Sequence, residues 1–383
     1  MSVTAAQGFR AAGVAAGLKA SGDPDVALVV NDGPHDAAAA VFTTNRFPAA
    51  PVLWSRQVLA DGRVRAVVLN SGGANACTGP GGFQDTHATA EHAAAALGLG
   101  AIDVAVCSTG LIGVRLPMEK LTAGVTEAAG QLSSDGGQAA ARGIMTTDSV
   151  PKTTVQTGDG WTLGGMAKGA GMLAPSLATM LVVLTTDAVV PAEVLEPALR
   201  HATAHSFERV DSDGCLSTND TVLVLANGAS GVAPTAEEFG AALDAACLDL
   251  AMQLLADAEG STKDIAITVR GAASVDDALE AGRACARNNL LKTALFGNDP
   301  NWGRVLAAIG TTSASFEADQ VDVTINGVTV CRGGAIGDDR DGVDLTGRAV
   351  TIDVDLAAGG AEATIWTNDL SLAYVHENSA YST

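Results

Sequence analysis

The 383-residue chain carries 22 Lys and Arg against 43 Asp and Glu, for a formal net charge of −21. Charged residues make up only 17% and apolar ones 47%, the balance of a globular protein with an acidic surface and not of an apolar-poor polyelectrolyte. Such a surface repels phosphate backbones and anionic lipid, which argues against nucleic-acid and membrane-surface partners. At the N-terminus, residues 11–18 are weakly apolar, broken by glycines and flanked by Arg10 and Lys19. That is too weak for a signal peptide, so the chain reads as a mature cytoplasmic protein. No run approaches the ~18 apolar residues of a spanning helix.

Strand-like runs are expected at 65–69 and 104–107 with a helix over 85–97 between them, then a strand at 153–156. Glycines and a proline interrupt both periodicities near 170–180, and a strand at 180–185 and a helix over 193–205 follow. After a strand at 221–225, Thr235-Ala236-Glu237-Glu238 forms a capping box, with Phe239, Leu243, Cys247, Leu250 and Leu254 behind it at helical spacing. A strand at 265–269 precedes Ser274-Val275-Asp276-Asp277, a similar cap with Asp for Glu, opening a helix to about residue 289. Strands at 321–325 and 328–331 flank Asn326-Gly327, a type I′ hairpin signal, and further strands lie at 350–354 and 363–366. Without a regular βαβ alternation, this order predicts a layered α/β (α+β) fold and not a doubly wound parallel sheet.

The six cysteines, at 77, 107, 215, 247, 285 and 331, show no CxxC spacing, which excludes zinc ribbons and thioredoxin-type motifs. Buried reduced thiols are the expectation. Gly169-Ala170-Gly171-Met172-Leu173-Ala174 satisfies G-x-G-x-x-A, but Pro175 falls where the required helix should run. Lys168-Gly169 also inverts the order of a P-loop. His201 and His205 share a helix face without the Glu of a zincin, and Asp211-Ser212-Asp213-Gly214 lacks the later ligands of a calcium loop. Arg10-Ala11-Ala12-Gly13-Val14-Ala15 matches R-x-x-G-x-A of one acetyltransferase superfamily, with no strand–loop–helix context to support it.

Ala178-Thr179 stands at the mouth of the apolar strand that starts at Met180. A Thr hydroxyl is a weak nucleophile unless a base lies beside it, and a Thr made N-terminal by chain cleavage carries that base as its own α-amine. The same dipeptide would suit an ordinary β-strand. Cys107-Ser108-Thr109-Gly110-Leu111-Ile112-Gly113 ends a strand in a hydroxyl–glycine turn, able to aim N–H groups or the Thr109 hydroxyl at an oxyanion or to serve as a plain turn. Met145-Thr146-Thr147-Asp148 follows a short helix and could equally be its stop.

Together these stretches resemble the ornithine acetyltransferase (glutamate N-acetyltransferase) family of arginine biosynthesis. Carrying the resemblance are Ser108-Thr109-Gly110 with Ile112-Gly113, Met145-Thr146-Thr147-Asp148, Lys168-Gly169-Ala170-Gly171-Met172, and Ala178-Thr179-Met180-Leu181. So do Asp257-Ala258-Glu259-Gly260-Ser261-Thr262-Lys263, Gly297-Asn298-Asp299-Pro300-Asn301-Trp302-Gly303-Arg304 and the tail Glu377-Asn378-Ser379-Ala380-Tyr381-Ser382-Thr383. The matches run in family order from about residue 8 to the last. Two departures are mild: Ser261 stands where the family more often has Ala, and the last residue varies between Ser and Thr.

The resemblance implies a sandwich reminiscent of N-terminal-nucleophile hydrolases with its own connectivity. It implies self-cleavage between Ala178 and Thr179 into an α chain (1–178) and a β chain (179–383), assembled as an α2β2 heterotetramer. Thr179 is then the nucleophile and Thr109 and Gly110 the oxyanion-stabilising pair. Thr146, Lys168, Thr179, Glu259, Asn378 and Thr383 contact substrate, with Thr147 an alternative to Thr146. The implied reaction is ping-pong acetyl transfer from N-acetylornithine to glutamate, with no metal or cofactor. Acetyl-CoA-dependent glutamate acetylation stays open as a second activity. The alternatives are the same machinery with water as acceptor, an amidohydrolase or aminopeptidase, and a non-catalytic nucleotide- or metal-binding protein.

Overall fold

The computed structural model describes residues 2–174 and 180–380. The first part of the chain forms β1 (Phe9–Val14), β2 (Val26–Asn31), β3 (Ala37–Phe42), α1 (Ala50–Val58), β4 (Ala66–Asn70), α2 (Gly79–Leu97), β5 (Val104–Ser108), α3 (Met118–Gly130) and α4 (Gly137–Gly143). Next come β6 (Lys152–Thr157), β7 (Thr162–Lys168), β8 (Leu181–Thr186), α5 (Ala192–Ala204), β9 (Thr221–Ala226) and α6 (Ala236–Ala256). The last part holds β10 (Asp264–Ala272), α7 (Val275–Ala286), α8 (Asn289–Phe296), α9 (Trp302–Ile309), β11 (Asp322–Ile325), β12 (Val328–Arg332), β13 (Ala335–Ile336), β14 (Ala349–Asp355), β15 (Ala361–Asn368) and α10 (Leu372–Ala380).

The strands form three mixed sheets, ordered β1-β2-β4-β5, β3-β9-β8-β7-β6 and β13-β12-β11-β14-β10-β15. Parallel pairs (β4·β5, β8·β9, β10·β14) sit among antiparallel ones, the layered α/β arrangement expected from the element order. Five strands carry no expectation from the sequence: β1, β2, β3, β7 and the two-residue β13. In β3 the run Ala-Ala-Ala-Ala-Val-Phe, and in β7 the pair Gly164-Gly165, lack the β-branched alternation by which a strand announces itself.

The five-stranded sheet is buried on both faces, and its period of two shows it. Leu181, Val183, Leu223 and Leu225 share a core with the four-stranded sheet. Val182, Leu184, Val222 and Val224 face the opposite core with Phe239, Leu243 and Leu250 of α6. α6 is long and apolar enough by composition to cross a membrane, but Leu243, Cys247, Leu250 and Leu254 are fully buried in that core. The six-stranded sheet has a third core, against α7, α8 and α9.

The caps behave as their chemistry dictates. Thr235 and Glu238 complete the capping box of α6, and Ser274 accepts from the Asp277 N–H at the start of α7. The helix expected to reach residue 289 stops at Ala286, because Asn288 turns its side chain to the Leu291 N–H and caps α8 instead. The helix expected from 85 begins at Gly79, with Pro80 accommodated in its first turn. Asn326 and Gly327 both adopt positive φ (44° and 84°), as the type I′ turn between β11 and β12 requires. The expectation of uniformly buried thiols needs correction. All six cysteines are free, but Cys77 and Cys215 are exposed.

Candidate active site

Strand pairing brings the chemistry to one end of the five-stranded sheet. Lys168, the last residue of β7, pairs with Leu181, the first of β8, which pairs in parallel with Thr221, the first of β9. Lys168 therefore lies on the same face as Met166 and Leu181, toward the core shared with the four-stranded sheet. There β5 delivers Thr109 and Gly110. The Lys168 Nζ donates to Thr109 Oγ1 at 3.3 Å, so the Thr109 hydroxyl proton is free to point elsewhere.

The Thr109 turn is braced on several sides. The Thr109 N–H donates to the Asn70 carbonyl and the Gly73 N–H to the Thr109 carbonyl. Asn219 donates to the carbonyls of Ser108 (2.8 Å) and Ala74 (2.6 Å). Gly110 has φ +126°, and a Cβ there would lie 2.8 Å from the Gly73 nitrogen, so only glycine fits. Among the described residues, no acceptor takes the Gly110 N–H. An unengaged N–H beside a free hydroxyl is the donor pair an oxyanion needs.

Glu259 follows α6, and its N–H donates to the Ala170 carbonyl, fastening it to the loop after β7. A Cβ on Gly171 would come within 2.7 Å of the Glu259 carboxylate, so glycine lets the carboxylate lie against that loop. α10 closes over the other side. A Cβ on Gly260 would sit 2.2 Å from the Tyr374 nitrogen, Ser371 donates to the Gly260 carbonyl, and Asn378 Nδ2 donates to Glu259 Oε2 at 3.0 Å.

The result is a cleft walled by Thr109, Gly110, Thr146, Lys168, Glu259 and Asn378, with Thr147 also on its surface. Every expected site residue within the described regions meets here. Ala178, Thr179 and Thr383 lie outside the described residues. A neighbouring pocket shares Glu259, but its charged side chains bond within the protein. Lys292 donates to Ser212 O and Thr367 Oγ1, Arg287 to Asp211, and Asp369 accepts the Thr262 and Lys263 N–H groups.

Two buried carboxylates at the cleft escaped the sequence reading as site residues. Asp148 accepts from the Thr146 and Gly169 N–H groups and from Lys152. Burial alone would raise its pKa, but Lys168, Lys152 and the Gly169 N–H outweigh it and hold it at about 2. Asp220 Oδ1 accepts the Met180 N–H at 3.1 Å, gripping the residue that follows Thr179. Burial pushes the Asp220 carboxyl well above its ordinary pKa, against the opposing Met180 N–H, Ser217 and Lys168. The available signal was the run Ser217-Thr218-Asn219-Asp220 at the mouth of β9, the same kind of polar strand end that singled out Thr109.

The rejected motifs take ordinary places. No helix opens within 169–174. His201 stacks on His205 at 4.2 Å and faces Asp244. Arg10 lies in β1 and pairs with Asp32. Asp211 pairs with Arg287, and Asp213 accepts from the Cys215 N–H.

The ArgJ family matches residues 10–383. The arginine biosynthesis bifunctional protein ArgJ of Streptomyces coelicolor is 66% identical over 382 residues, covering 100% of both chains. Its namesake in Mycobacterium tuberculosis is 59% identical over 388 residues, covering 99% of this chain and 96% of the relative. Among solved structures, the ornithine acetyltransferase of Mycobacterium tuberculosis complexed with ornithine is 63% identical, covers 47% of this chain and 96% of that chain, and superposes with a TM-score of 0.45. With the family's match running to the last residue and such relatives aligned along their whole length, the chain belongs to the ArgJ family.

Proposed function

We propose that the cleft transfers an acetyl group from N2-acetyl-L-ornithine to L-glutamate through an acetyl-enzyme on Thr179, after the chain has cut itself between Ala178 and Thr179. As a member of the ArgJ family, the protein is an acyltransferase of arginine biosynthesis. The observation that carries the finer reading is the convergence of Thr109, Gly110, Thr146, Lys168, Glu259 and Asn378 on one cleft. It lies at the end of the sheet where β8 begins, directly after Thr179 and Met180.

Thr179 Oγ attacks the acetamide carbonyl carbon while its own α-amine, with a pKa of about 7.7–8.0 in the unperturbed state, takes the hydroxyl proton. The charge that develops on the carbonyl oxygen is received by the Thr109 hydroxyl and the Gly110 N–H. The C–N bond breaks, the proton passes to the leaving α-amine, and ornithine departs from an acetyl ester on Thr179. The glutamate amine attacks that ester by the reverse sequence, giving N-acetylglutamate and free Thr179. Lys168 meets the substrate carboxylate and Glu259 the ornithine side-chain ammonium. Thr146, Asn378 and Thr383 complete the contacts, with Thr147 beside Thr146. The two cut chains assemble as an α2β2 heterotetramer in the cytoplasm.

Intact-mass measurement before and after incubation with N-acetylornithine tests this reading. The expected result is two fragments divided at Ala178/Thr179, the C-terminal one gaining the mass of one acetyl group that glutamate removes. A single uncut chain with full activity would sink it. Acetate release at an unchanged rate without glutamate would instead make the enzyme an amidohydrolase.

A further inference from the structure

Thr146, Lys168 and Glu259 come from three separate segments, and one buried chain of alternating charge fastens all three. Asp148 Oδ2 accepts the Thr146 N–H at 2.9 Å, and Oδ1 accepts the N–H of Gly169, next to Lys168, at 2.7 Å. The same Oδ1 meets Lys152 Nζ at 2.7 Å, and Lys152 reaches Asp257 Oδ2, two residues before Glu259, at 2.5 Å. The side chains of Asp148 and Lys152 are both 0% exposed. The Ser149 N–H adds a bond to Asp257 at 3.0 Å.

Buried ion pairs recover their desolvation cost poorly, so stability alone is a weak reason for this one. Lys168 offers a better one. It is 1% exposed, and among the described residues no carboxylate stands within ion-pair distance of its ammonium. Burial drives its pKa down. Asp148 is the foremost opposing charge, Lys152 adds to the lowering, and Asp220 just before β9 and Glu259 in the turn after α6 oppose it. Asp148 in turn faces Lys168 and Lys152, with Lys19 farther off.

We propose that Asp148 is a positioning residue of the acetyl-transfer site: its carboxylate sets the backbone at Thr146 and Gly169 and supplies the negative field that keeps the buried Lys168 cationic, with Lys152 tempering that field. This rests on the reading of the cleft given above, in which Lys168 binds the substrate carboxylate as an ammonium.

The test is the pH dependence of kcat/KM for N-acetylornithine, from neutral to strongly alkaline pH, in Asp148→Asn and Lys152→Gln. Without the Asp148 charge, Lys168 loses its proton at lower pH. The alkaline limb moves down by roughly one to three pH units, the range for loss of an adjacent opposite charge, and the loss falls on KM more than on kcat. Without the Lys152 charge, the limb moves up. A merely structural pair would lower the melting temperature of both variants and leave the limb in place. Unshifted limbs, or limbs that move the same way, overturn the proposal. If Asp148→Asn does not fold, Lys152→Gln decides by the presence or absence of its upward shift. Absence of acetyl transfer in the unsubstituted enzyme would strike the underlying reading, a result separate from unshifted limbs in active variants.

Discussion

Replacing Thr109 with valine removes one hydroxyl from the wall of the cleft while keeping the shape of a side chain that is only 2% exposed. Two interactions go with it. The first is the bond from Lys168 Nζ to Oγ1 at 3.3 Å; hydrogen bonds to charged groups contribute about 1.5–3 kcal/mol to stability, and at this length the lower figure applies. The second exists only during the reaction, when the hydroxyl proton, not engaged by Lys168, meets the oxyanion. Loss of one such donor costs about 10²–10³ in kcat, or about 2.7–4 kcal/mol. The assay is the single-turnover rate of Thr179 acetylation by N-acetylornithine, followed by intact mass well below the melting temperature. Thr109→Val should retain its fold, acetylate at least about a hundredfold more slowly, and recover most of that rate in Thr109→Ser. A valine variant acetylating at close to the normal rate, or a serine variant as slow as valine, would refute the hydroxyl's role in holding the oxyanion.

Three further outcomes follow from other parts of the molecule. A thiol reagent added to the native protein should modify Cys77 and Cys215 quickly, and Cys107, Cys247, Cys285 and Cys331 only after denaturation; burial pushes the Cys107 and Cys285 thiols up to about 12. Rapid labelling of a buried cysteine, read by peptide mass mapping, would contradict the packing. Thr235→Ala should cost about 1 kcal/mol in urea denaturation by removing the α6 cap, with kcat unchanged. Burial raises the Asp211 carboxyl to about 6 despite Arg287, above its ordinary 3.8, so its protonation favours the folded state and stability should rise as pH falls from about 6 toward 4. That increment should vanish in Asp211→Asn, and urea midpoints with the same pH slope in the variant would disprove the assignment.

Much of this was legible in the amino-acid order, for reasons that also explain the gaps. Residues 181–184 and 222–225 announce strands because β-branched and leucine side chains leave little else to do with such runs. β3 stays hidden because four alanines report neither burial nor alternation. Gly164 and Gly165 in β7 mimic a loop, yet they are glycines because a Cβ at the first would press on the Ser2 carbonyl and at the second on Leu184. In the site, Thr109, Lys168 and Glu259 carry chemistry in their own side chains and stand in recognisable stretches. Asn219 and Asp220 stand outside those stretches, and Asp148, though inside one, shows no role of its own there, because the work of all three is to hold backbone N–H and carbonyl groups. Those partners are chosen by strand pairing, such as Leu181 against Thr221, which leaves no local trace.

The order β3-β9-β8-β7-β6 has a consequence for a chain opened at the proposed Ala178–Thr179 bond. β3, β7 and β6 would belong to one piece and β9 and β8 to the other, so two ladders, β3·β9 and β7·β8, would cross between separate polypeptides. The pieces would be interleaved through the middle of a doubly buried sheet and not joined at a surface. They could part only by unfolding that core, so maturation would cost the native protein little cohesion. Recovery from denaturation would become a meeting of two molecules, slower at high dilution, and the melting temperature would acquire a dependence on protein concentration that an uncut chain lacks.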